Sequence, residues 1–171
     1  MARRLTVPVL AALLLIACES REVDKDLRIV EVNTGWFDLG VVGAGMNKLV
    51  PSISLELENV SARDIESVQL NAVFKRVGEE QAWGEHFIRA IDPSGLAAGS
   101  KTQSIVLRST LGYTADQARA QMLQNKEFVD AKVEVFGKHG SRTWVKMGEF
   151  PIDRRLLTQS STRSVPGPPV P

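Results

Sequence analysis

Leu49-Val50-Pro51-Ser52-Ile53-Ser54-Leu55-Glu56-Leu57-Glu58-Asn59 decides the fold class. Leu49, Pro51, Ile53, Leu55 and Leu57 share one parity, and Ser52, Ser54, Glu56 and Glu58 the other. A period of two belongs to a β-strand with one dry face and one wet face, the pattern of antiparallel sheets. The pattern recurs on both sides of this stretch. Val68, Leu70, Ala72 and Phe74 alternate with Gln69, Asn71 and Lys75. Val129, Ala131, Val133 and Val135 alternate with Asp130, Lys132 and Glu134.

Less regular strands are predicted over Leu27–Asn33, Trp36–Val42, Ala82–Ile91, Thr102–Ser109 and Thr143–Ile152. Turn chemistry separates them: Val77-Gly78-Glu79-Glu80, Asp92-Pro93-Ser94-Gly95 and the hairpin tip Lys138-His139-Gly140-Ser141. One helix is expected. Thr114-Ala115-Asp116-Gln117 reads as a capping box, with Tyr113 stapled onto Ala118, Met122 on the inner face and an end near Asn125. Together these elements predict a mainly β chain: an immunoglobulin-like antiparallel β-sandwich of seven or eight strands with one short helix, spanning residues 27–157.

The run Leu55 to Lys75, then Trp83, then the Gly95-Leu96-Ala97-Ala98-Gly99-Ser100 rise, resembles the FxLYD-type group of immunoglobulin-like envelope modules. In that group a strand ends in an asparagine beside a turn, the place Asn59 takes here. The resemblance implies a sandwich in the cell envelope. It departs from the group after Phe74, where Lys75-Arg76-Val77 stands in place of Leu-Tyr-Asp.

The beginning of the chain has a different character. Arg3 and Arg4 precede an apolar stretch from Leu5 to Ile16. That stretch is shorter than the roughly 20 residues that span a bilayer as a helix, so it reads as a signal sequence. Its ending, Leu15-Ile16-Ala17-Cys18, resembles the lipobox of bacterial lipoproteins and falls on the only cysteine in the chain. The resemblance implies that residues 1–17 are removed as a signal peptide. Cys18 then carries lipid, and the chain is held at a membrane facing the periplasm. Glu19 follows the cysteine where an aspartate would favour the inner membrane, which leans toward the outer membrane. Residues 18–26 read as the lipidated cysteine and its charged tether, and residues 158–171, rich in Ser, Thr, Gly and Pro, as a disordered tail.

Candidate chemistry is sparse. Lys and Arg number 21 against 20 Asp and Glu, so the chain lacks the basic excess of a nucleic-acid binder. Gly40 to Lys48 is glycine-rich but misses the Gly-Lys-Ser/Thr ending of a phosphate loop and reads as an inter-strand loop. His86 and His139 are the two histidines. Glu85 and His86 are strand neighbours that face opposite ways, so no metal site is expected. No Gly-x-Ser-x-Gly occurs. No catalytic residue and no cofactor are predicted.

Trp36 and Trp144 are expected in the core or at its edge. Ala82–Ile91 would carry Trp83, Glu85, Phe87, Arg89 and Ile91 on one face and Gly84, His86, Ile88 and Ala90 on the other. Neither face is uniformly dry, which predicts a sheet edge with Trp83 exposed and a partner surface at Trp83 and Arg89. The expected function is a lipid-anchored, non-catalytic binding or accessory module for an envelope protein partner. The rivals are an envelope hydrolase acting on glycan or peptide, and a structural subunit of an envelope complex.

Overall fold

Strand alternation in the sequence becomes two stacked sheets in a computed structural model that describes residues 22–157. The expected signal peptide, Cys18 and the expected tail lie outside the described residues. The chain is mainly β. The elements are α1 (Val23–Asp26), β1 (Leu27–Val42), β2 (Met46–Asn59), β3 (Val68–Arg76), β4 (Ala82–Ile91), β5 (Ile105–Arg108), β6 (Tyr113–Ala115), α2 (Arg119–Gln124), β7 (Ala131–His139), β8 (Val145–Pro151) and β9 (Leu156–Leu157). The first sheet has the order β5-β2-β1-β9, with β6 also paired to β2; the second has the order β4-β3-β7-β8. Every pairing is antiparallel except β1 with β9.

The alternation in β2, β3 and β7 is kept. Leu49, Ile53, Leu55 and Leu57 meet Leu70, Ala72, Phe74, Val133 and Val135 in one core, all of them fully buried. The outer side of β2 is covered in part as well. The Arg108 guanidinium stacks 3.5 Å from the centre of the Phe37 ring, and Ser52, buried beneath, donates its hydroxyl to the Leu107 carbonyl at 3.2 Å.

Bulges account for two departures from the predicted elements. Leu27–Asn33 and Trp36–Val42 form one strand. Val30 pairs with Glu56 and Asn33 with Ser54, so β1 carries one extra residue there, and Glu31 takes a left-handed φ of 51°. The extra residue reverses the parity: Leu27 points inward before it, Thr34 and Trp36 after it. β4 is bulged twice, since Phe74 pairs with Gly84 but Lys75 with Ala82, and Val68 pairs with Ile91 but Gln69 with Arg89. Trp83 is thereby turned inward, which corrects its expected exposure.

Other expectations are corrected by packing. Thr114 does not cap a helix; Tyr113–Ala115 pairs with Asn47–Leu49, and α2 begins at Arg119 without a side-chain cap. The Tyr113 ring lies against Trp36 and Phe128, and its hydroxyl lies 3.2 Å from both the amide and the carbonyl of Val129. That tertiary seat prevails over the local capping motif and the staple. Met122 does face the core, and the helix ends at Asn125. Val129 lies outside its strand and is 40% exposed. Val23–Asp26, read from the sequence as part of a charged tether, is a helical turn with Val23 buried.

Candidate partner-binding face

The outer face of the second sheet is set by three registers. One rung across it runs Phe87, Asn71, Phe136, Lys146; the next toward the β7–β8 turn runs Arg89, Gln69, Lys138. Trp144 just precedes β8, shares the parity of Lys146, and meets Phe87 edge to face, with ring centres 5.9 Å apart. The Lys138 ammonium sits 4.8 Å from the centre of the Trp144 ring. Phe87 is 56% exposed and Trp144 36%. An aromatic pair open to water, with an ammonium against it and a guanidinium and an amide on the neighbouring rung, has the composition of a protein contact surface.

The other half of the same face is ionic. Glu134 accepts from Lys146 at 2.8 Å and from Lys75 at 2.9 Å, while Glu149 accepts from Lys146 at 2.6 Å and from Lys132 at 3.1 Å. The Lys146 and Lys75 hydrogen bonds hold the Glu134 carboxyl down to about 2 from its ordinary 4.5. A carboxyl lowered by folding stabilises fully above its unfolded pKa, and that stabilisation is lost as pH falls through the folded value. The wild type is therefore expected to lose stability more steeply than Glu134→Gln between about pH 5 and about pH 2. Urea midpoints measured across that range test this, and parallel curves for the two proteins would refute it.

The sequence-predicted site residues separate. Trp83 is half-buried, with ring centres 5.0 Å from Tyr113 and 6.1 Å from Trp36, and with the Arg76 guanidinium 4.8 Å above it. Arg89 lies on the exposed outer face, so the two do not form one surface. β4 does lie at a sheet edge, as its mixed faces imply. Phe87 shares a face with Glu85 and Arg89 in the sequence pattern, but nothing there marks it as a site. Trp144, expected in or beside the core, is exposed; its shared parity with Lys146 is the signal that places it on the wet face.

His86 and Glu85 face opposite ways. Glu85 accepts from Asn71 Nδ2 at 3.2 Å. His86 Nδ1 lies 2.9 Å from the carbonyl and 3.0 Å from the amide of Arg108, and so ties the edge of the second sheet to that of the first. The edges approach closely there because Gly84 has no Cβ, which would collide with Ser109 Oγ. Among the described residues, no three His, Cys, Asp or Glu side chains gather as metal ligands, and no helix is long and apolar enough to cross a membrane. A hollow of about 240 Å³ beside β6 is lined by Tyr113, Met122 and Phe128 with one carboxylate, Glu127.

No family model and no curated protein matches the chain. Among solved structures, the chain is similar to one described as the X-ray structure of Northeast Structural Genomics Consortium target SoR45. The two are 9% identical with a TM-score of 0.42, over 83% of this chain and 94% of that one.

Proposed function

We propose that this chain is a lipid-anchored, non-catalytic protein of the bacterial cell envelope that binds a protein partner through the outer face of its second sheet. The exposed Phe87–Trp144 pair carries the reading. Surface aromatics flanked by Arg89 and Lys138 lose water readily on contact, while the cations and the Gln69 amide supply direction. The anchor rests on Leu15-Ile16-Ala17-Cys18, and Glu19 favours the outer membrane.

Two variants test the two halves. Cys18→Ser is expected to accumulate precursor with its signal attached and to lose palmitate labelling; a mutant of normal mature size that still takes the label refutes the anchor. Phe87→Ser with Trp144→Ser is expected to change stability by about 1 kcal/mol or less, since both rings are exposed. Cross-linking in membranes is expected to recover a partner with the wild type that the folded double variant loses. If the double variant retains every partner, this face is not the binding surface.

A further inference from the structure

The fold grips its chain very early. Val23 is buried with its side chain close to Gly137. The Lys25 and Asp26 amides donate to the Glu22 carbonyl at 3.1 and 3.2 Å, and the Val60 amide donates to the Asp26 carbonyl at 3.0 Å. Only Glu19, Ser20 and Arg21 stand between Cys18 and this anchored point. Fully extended, four residue steps reach about 14 Å. Part of that reach is consumed by the headgroup layer, roughly 5–8 Å thick on each side of the bilayer. The body is much longer than what remains. The fourteen residues of β2 alone extend about 45 Å along the sandwich.

We propose that α1 and the adjoining 139–143 turn form a surface seated on phospholipid headgroups, held there by the short tether. The inference rests on the lipoprotein reading of Cys18. Glu22, Val23, Arg142 and Thr143 line a shallow hollow where the tether leaves the body. Around it, Lys25 and Arg28 expose 71% and 67% of their side chains, and they are paired with Glu22 and Glu58. The charges at this end are mixed, so the surface has no strong preference for anionic lipid. The covalent anchor supplies the affinity, and the tether length supplies the orientation. The outer face of the second sheet then stands side-on to the bilayer, with its Trp144 end nearest the lipid.

Energy transfer to a headgroup-labelled lipid tests this. Full-length lipidated protein carries one added cysteine, Thr143→Cys near α1 or Glu79→Cys in the β3–β4 turn at the other end, labelled with a donor fluorophore. The proteins are placed in phosphatidylcholine vesicles containing acceptor lipid. Transfer from position 143 is expected to exceed that from position 79 several-fold, and equally so with anionic lipid added. Inserting about twenty Gly and Ser residues between Arg21 and Glu22, a coil of roughly 25 Å, is expected to erase most of the difference. Mass spectrometry of the same samples separates the two claims. A mature chain without lipid on Cys18 overturns the lipoprotein reading and the seating with it. Lipidated protein with equal transfer from both ends overturns the seating alone, and a difference that survives the insertion overturns the tether as its cause.

Discussion

Trp36→Ala is expected to destabilise the domain by about 3–5 kcal/mol, the range for truncating a large buried aromatic. That is a large fraction of the roughly 5–15 kcal/mol that holds a typical domain together. Trp36 is fully buried. Its ring centre lies 4.6 Å from Phe128, 5.6 Å from Tyr113 and 6.1 Å from Trp83. Those rings come from the segment before β7, from β6 and from the β4 bulge, so a cavity at Trp36 loosens three pieces of chain at once. Trp36→Phe separates packing from polarity. Nε1 of Trp36 finds no hydrogen-bond acceptor among the described residues. Removing that donor offsets part of the lost area, so the phenylalanine variant is expected to lose less than about 2 kcal/mol. Urea unfolding of both variants tests the pair. An alanine variant that loses less than about 1.5 kcal/mol would mean that the cluster is peripheral to stability.

Asn59→Ala is the second large effect, at about 2–4 kcal/mol for several part-buried polar groups losing their partner together. Asn59 is fully buried at the end of β2. Its Nδ2 donates to the carbonyls of Arg63 at 2.8 Å and Leu96 at 2.9 Å. Its Oδ1 accepts the Ser61 amide at 3.0 Å and the Ser61 hydroxyl at 2.7 Å. One side chain therefore holds the 60–64 turn and joins it to the segment before β5. Asn59→Asp keeps the shape but sets an oxygen against two carbonyls. It is expected to be at least as damaging as alanine at neutral pH and to recover in part on acidification, because protonation restores one donor. Hydrogen exchange at Ser61 and thermal melts check both variants; an aspartate variant as stable as the wild type at pH 7 would contradict this role.

What could be read from the sequence follows a physical boundary. Val68–Phe74 and Leu49–Leu57 were legible because an unbroken period of two needs no knowledge of the neighbouring strand. Gly78 and Gly140 were legible because a φ of 88° or 56° is ordinary for glycine and strained for other residues. The bulges were not legible. Glu31 in a left-handed conformation, or Trp83 turned inward, depends on which strand lies opposite, and nothing local announces it. Thr114 shows the same boundary from the other side, since a sound capping motif yields to strand pairing that its own residues do not encode. The face carrying Phe87 and Trp144 was half legible. Arg89 was read as part of a partner surface, whereas Phe87 carried no mark of its own and the reach of Trp144 across the sheet depends on the β7–β8 register.

The pairing of β9 with β1 also sets a clock. The Trp36 amide donates to the Arg155 carbonyl at 2.8 Å, Arg155 Nε donates to the Thr34 carbonyl at 2.9 Å, and a Cβ at Gly35 would come within 3 Å of the Leu157 side chain. The earliest strand to leave a ribosome or a translocation channel is thus closed around Trp36 and Phe37 by the last described one. Until residue 157 emerges, the outer rim of β1 stays open, beside the place where Trp36 must bury itself. Contacts so distant in sequence close slowly, and an open rim is a template for foreign strands. The hazardous interval for this protein is the time its chain takes to arrive in full, and any factor that shields β1 has to act during that interval.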